Sequence, residues 1–333
     1  MLFFVICACF ALFPERVLCG AQSGLALCIN SLIPSLLPFM IVSSCIIAGG
    51  FSRPLGAVLS KILTPITGIS PSGCICLVTG LLGGYGTGAR AVFESYRKNY
   101  ITKKEAESLM AFCNNTGPLF VLGTVGIGFF MSRGTGAMLL LVQIITVLIC
   151  ARIFSGDIKY EKSILKEEWC SYKKNMPPMG TLISKCAIEC GSAIVTACVF
   201  VITFSAILEI LPYGSHSLLA GFLEVTRGSS ELSRMGTKAL PFVSACLYWG
   251  GMSVHLQANA LTEGVFSMRK YYIGKITGCM ISFLITKLAL GDINILFLCC
   301  VLAAAAAMIV FSIRLVFFPK RTQQCVFRQQ RHS

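Results

Sequence analysis

The chain has 333 residues, 55% of them hydrophobic and only 13% charged, with a net charge of +14. A soluble domain carries about 25% charged residues, and a mean hydropathy of +0.78 excludes a disordered chain, a collagen-like repeat and a water-soluble core. A transmembrane helix needs about 20 apolar residues, and the apolar runs suffice for about seven to nine of them. The composition is that of an all-α polytopic membrane protein.

The basic residues sit between hydrophobic runs and not along one stripe, so they read as topology-setting loop charge, with no nucleic-acid partner. Most of the 18 cysteines lie inside apolar runs (Cys7, Cys9, Cys150, Cys198, Cys279, Cys299 and Cys300) and behave there as small hydrophobes. No CxxC occurs, so zinc and thioredoxin-like chemistry find no support.

In chain order, a first span at about 1–13 lacks a basic leader and a small-x-small cleavage site, and is expected to be a retained helix. An amphipathic segment at 16–33 leads through Pro34 and Pro38 into a span at 36–50. The apolar stretch 71–98 is broken by "GGYGTGAR", and a polar helical segment, "TKKEAESLM", comes next. A span at 109–131 is interrupted by "NNTGP", and a clean one covers 135–154. The most polar stretch, 155–180, carries five lysines and reads as an interfacial segment introducing a second repeat. A span at 187–211 precedes the broken stretch 214–235 ("GFLEVTRGSSEL"), and "WGGMSVHLQ" interrupts a span at 239–261. Clean helices at 271–290 and 293–316 end in a basic tail.

If 71–98 and 214–235 are re-entrant hairpins, eight crossings put both termini on one side. That side then holds 21 Lys and Arg, Lys275 among them, against five on the other (Arg16, Arg133, Arg227, Arg234 and Lys238). This makes the common side cytoplasmic. Treating either broken stretch as a full crossing destroys the asymmetry.

The order of features repeats: amphipathic segment, span, Gly-rich hairpin, broken span. It divides the chain into an N-terminal helix (1–17), a first repeat (18–134), a connecting helix and basic loop (135–179), a second repeat (180–265), and two C-terminal helices with a tail (266–333). Three crossings separate the copies, so they face opposite ways, the inverted-repeat plan of secondary transporters.

Within hydrocarbon an unpaired backbone group costs several kcal/mol, so interrupted helices survive only against protein or a water-lined cavity. Each break also exposes helix-start N–H groups that favour an anion. The alternative for "GGYGTG" is a small-residue packing face. The polar residues at the breaks form the candidate substrate site. Tyr85, Thr87 and Arg90 lie in the first hairpin, and Asn114, Asn115 and Thr116 in the first broken span. Glu224, Thr226 and Arg227 lie in the second hairpin, and Ser253, His255 and Gln257 come after the second Gly-Gly break. Arg90 and Arg227 would neutralise carboxylates. Tyr85, Thr87, Asn114, Asn115 and Thr116 would orient the ligand, and Ser253, His255 and Gln257 would close the site from the second repeat. Glu189 and Glu209 read as interfacial. Bland readings stand beside these: a snorkelling Arg90, helix capping by Asn114–Thr116, an internal Glu224–Arg227 pair, a structural His255. With no HExxH, GxSxG or P-loop, and only Asp157 and Asp292 as aspartates, neither an enzyme nor a metal or other cofactor is implied.

The strings "GLLGGYGTGARAVFES", "AFCNNTGPLFVLGTVG", "GFLEVTRG" and "WGGMSVHLQ" resemble the sporulation integral membrane proteins of the YlbJ (SpoVV) type, which contain the nucleoside recognition or Gate domain. The similarity covers about residues 18–290. Where the family's first hairpin has a proline, this chain has Gly86, and Arg90 matches the basic position. The resemblance implies a fold similar to concentrative nucleoside transporters. It also implies transport of dipicolinic acid, a planar dianion, across the outer forespore membrane during sporulation. A nucleoside or other small-solute transporter, and a non-transporting membrane subunit of a sporulation assembly, stay open as alternatives. So do the coupling ion and the oligomeric state, a homo-oligomer included.

Overall fold

The computed structural model describes residues 2–155, 178–211 and 216–291. Among these the regular structure is entirely helical, and the chain is an all-α polytopic membrane protein. Most of the basic loop at 155–180, and all of the helix at 293–316 with the tail, lie outside the described residues.

The first helix, α1 (Leu2–Leu12), is followed by α2 (Pro14–Leu27) and α3 (Ile33–Ala48). A π-helical turn, Cys28–Leu32, joins α2 to α3 without a break. The separate amphipathic segment and span expected from Pro34 and Pro38 are therefore one rod, Pro14–Ala48. The widened turn accommodates Pro34, whose missing N–H falls where the hydrogen-bond ladder changes register. The next helix, α4 (Ser52–Thr67), is a separate element that the sequence pattern does not announce. It bends by 87° into α5 across Gly68–Ser70.

The first hairpin is α5 (Pro71–Gly83) and α6 (Thr87–Arg97). The first broken span is α7 (Lys103–Cys113), a non-helical stretch, and a π-helical segment, Phe120–Phe129. Helix α8 (Arg133–Phe154) is unbroken. Helix α9 (Met179–Ile210) has 32 residues, extending well before the expected start at 187. The second hairpin is α10 (His216–Leu223) and α11 (Val225–Ser233), and the second broken span is α12 (Leu240–Trp249) and α13 (Gly251–Leu261). The last described helix is α14 (Arg269–Ala289).

Four of these rods are long and apolar enough to cross a membrane: Pro14–Ala48, α8, α9 and α14; the bent α4–α5 pair adds a fifth only if it crosses as one span. The two broken spans add crossings only if their short halves act together.

Small residues set the packing. A Cβ on Gly20 or Gly24 of α2 would run into the backbone of α9 at Ser205–Ala206 or Ile202, so these rods touch along bare main chain. Helix α14 is laid across both broken spans in the same way. Gly274 abuts Ala111 of α7, and Gly278 abuts the Tyr248 ring of α12.

Candidate functional site

All four interruptions expected from the sequence are present. In the first hairpin the chain turns through Gly84 (φ 87°) and Gly86 (φ 78°), conformations open to glycine but not to the proline of related hairpins. In the second, one extended residue, Glu224, separates two helices. The first broken span unwinds over Asn114–Gly117, and the second kinks at Gly250 (φ 87°).

The two hairpins are built alike. Gly80 and Gly88 cross closely enough that a Cβ on either would land on the Cys113 carbonyl, at the end of α7. Gly221 and Gly228 cross in the same manner beside Cys246 of α12, whose Sγ lies 3.0 Å from a Cβ placed on Gly221. Thus Gly80, Gly88 and Cys113 of one half correspond to Gly221, Gly228 and Cys246 of the other. This correspondence is finer than the feature order alone.

The arginines obey the same duplication. Arg90 bonds Glu94 one turn on (2.9 Å) and also reaches Glu189 on α9. Arg227 bonds Glu231 one turn on (3.1 Å) and reaches Glu209, on α9 as well. Each guanidinium is thereby held between two carboxylates, so the fixed positive charge expected for a ligand's carboxylates is already matched by protein. Glu189 and Glu209, read as interfacial, are the partners that dock the hairpins on α9. Glu224 is not paired through the Arg227 side chain. Its carboxylate caps α11, accepting from the backbone N–H of Thr226 (2.9 Å) and Arg227 (2.7 Å).

A buried network joins the halves. Asn114 Oδ1 accepts from the Gly86 N–H (2.8 Å), tying the first hairpin to the first broken span. That bond fixes the amide's orientation, so Nδ2 donates to the Tyr271 hydroxyl (3.2 Å) on α14. The Tyr271 hydroxyl in turn shares a hydrogen bond with His255 Nδ1, 2.9 Å away. Tyr85 donates to the Leu247 carbonyl in the last turn of α12. Thr116 donates to Gln143 Oε1 (2.5 Å), and Gln143 Nε2 donates back to the Thr116 carbonyl (2.8 Å). Thr87 closes the hairpin tip by donating to Gly83 (3.1 Å). Gln257 is buried facing Gly86.

Four of the expected residues end in buried polar atoms without a hydrogen-bond partner: Asn115 Oδ1, Thr226 Oγ1, Ser253 Oγ and His255 Nε2. The starts of the half-helices also differ. Glu224 caps α11 and Asn114 serves the start of α6, whereas α13 begins at Gly251 with no side-chain cap. Ser253 lies in that first turn and His255 in the next. The start of α13 packs against the tip of the second hairpin at Leu223–Glu224.

One central residue lies elsewhere than expected. Lys275, counted among the loop charges, is fully buried on α14. Its Nζ donates to the Asn114 and Tyr248 carbonyls, the latter at 3.0 Å. Its sequence position, about one and a half turns from Arg269 and Lys270, hides it among interfacial charges. The available signal was its place beside Gly274 in the small-residue face Gly274–Gly278, which marks a buried side of the helix. Removing it leaves the charge asymmetry intact.

The sporulation integral membrane protein YlbJ of Bacillus subtilis (strain 168) is 24% identical over 310 residues, covering 79% of this chain and 75% of the relative. The chain is a homologue of YlbJ. The likeness to YlbJ agrees with the family resemblance of the hairpin and broken-span strings. No protein-family model matches the chain, so the Gate-domain expectation rests on those strings alone. No solved structure matches it.

Proposed function

We propose that the chain is a permease for a small anionic solute, acting during sporulation, with dipicolinic acid as the substrate to which its family resemblance points. It would act in the cell membrane or outer forespore membrane with both termini cytoplasmic, as a carrier and not an enzyme. The observation that carries this reading is the uncapped, buried start of α13 with Ser253 Oγ unpartnered in its first turn. A helix start favours negative charge. With Tyr271 donating to Nδ1, His255 carries its proton on Nε2 and adds a second buried donor without an acceptor. Buried donors left unmatched cost about 1–3 kcal/mol each, and a carboxylate oxygen would relieve that cost. The His255 ring stands edge-on to Trp249, Tyr271 and Tyr272, at 4.2, 5.3 and 5.4 Å between centroids, surroundings suited to a planar aromatic solute.

The reading moves the anion site from Arg90 and Arg227 to the second broken span. Its test is uptake of labelled dipicolinate by proteoliposomes. Ser253→Ala and His255→Ala should each lower uptake about tenfold, the equivalent of roughly 1.4 kcal/mol, without loss of folded protein. Uptake of uridine in place of dipicolinate would establish the neutral-solute alternative. Uptake of neither would favour a non-transporting subunit.

A further inference from the structure

Helices α7 and α12 stop inside the protein, one in each half, and their last carbonyls point to the same place. The end of a helix carries a partial charge of about −0.5, so two such ends facing each other repel and leave acceptors without donors. In the transporter plan, ends of this kind coordinate an inorganic cation. Here the Asn114 and Tyr248 carbonyls both accept from Lys275 Nζ. The ammonium also lies 5.4, 5.2 and 5.8 Å from the ring centroids of Tyr85, Tyr248 and Tyr271, within the range of cation–π attraction. Among the described residues no carboxylate pairs with it; every ion pair found there is between an arginine and a glutamate. A fully buried charge is costly unless matched, and this one is matched by carbonyls and aromatic faces alone, the ligand set of a monovalent cation.

We infer that the ends of α7 and α12 form a monovalent-cation site that Lys275 fills with its own tethered ammonium. Lys275 is a positioning residue: it holds the two broken spans together in place of a dissociable ion. The inference concerns how the halves are joined and does not depend on which solute the chain carries.

The test is thermal unfolding of the full chain in lipid nanodiscs, at equal ionic strength in choline, sodium, potassium or methylammonium chloride. The wild-type midpoint should be the same in all four salts. Lys275→Ala, which empties the site, should melt roughly 5 °C or more lower in choline, and methylammonium or an alkali cation should restore the midpoint saturably. A folded Lys275→Ala variant indifferent to all three cations would overturn the inference. So would a wild-type chain stabilised by sodium over choline, a result that needs no variant. Lys275→Met fills the same space without charge, and a wild-type midpoint for it would also overturn the assignment.

Discussion

The two halves solve one problem with different chemistry. In the first, the hairpin turns on glycines and borrows its cap from Asn114 of the neighbouring broken span; in the second, Glu224 caps its own helix. In the first, the glycine crossing closes on a backbone carbonyl, that of Cys113; in the second, it closes beside a side chain, the Sγ of Cys246. At its crossing the first half is thus locked to its partner segment through main chain, and the second meets Cys246 of its partner segment through a side chain that can shift. The uncapped helix start belongs to the second half, so the half with the adjustable crossing is also the half offering free donors.

The largest effect should come from the crossings. Gly80→Ala drives a methyl into the Cys113 carbonyl and should cost more than the ~3 kcal/mol typical of severe overpacking, seen as loss of a monodisperse peak in detergent. Gly221→Ala meets only Cys246 and should cost about 1 kcal/mol, regained on adding Cys246→Ala. Equal damage at both glycines would erase the contrast. The caps come next. Asn114→Ala breaks two buried bonds joining separate segments and should cost about 2–3 kcal/mol, against about 1–2 kcal/mol for Glu224→Ala, whose loss is local. Chemical denaturation of both variants in the same detergent would order them.

The arginine clamps should show the smallest difference. The Arg227 side chain and its partner Glu209 are 16% and 19% exposed, whereas Arg90 and Glu189 are 14% and 39% exposed. Water screens the first clamp more, so Arg90→Ala should cost about 1 kcal/mol and Arg227→Ala about 2 kcal/mol. A double-mutant cycle of Arg90→Ala with Glu189→Ala should give a coupling near the smaller value. Zero coupling would return Arg90 to the ligand-binding candidates.

The breaks are legible in the sequence because glycine, proline and asparagine runs weaken a helix, and a bilayer tolerates such weakness only where protein or water takes up the freed backbone groups. The roles of the residues at those breaks are less so. Arg90 and Arg227 stand out as membrane charges, but their partners on α9 lie 99 and 18 residues away, and nothing local predicts the pairing. The rod Pro14–Ala48 reads as two segments because two prolines usually end a helix, and a π turn has no clear sequence mark. Lys275 escapes notice because charge near a helix end looks the same whether it faces water or the protein interior.

Both clamps grip one helix. Glu189 and Glu209 are twenty residues apart on α9, a rise of ~30 Å, which matches the thickness of a bilayer's hydrocarbon layer. The helix therefore works as a ruler whose two marks are set near opposite leaflets. A thinner membrane tilts that ruler, and because its marks are shared, the tilt loads both hairpins at once. Lipid chain length then becomes a mechanical input that reaches the two ends of the protein together.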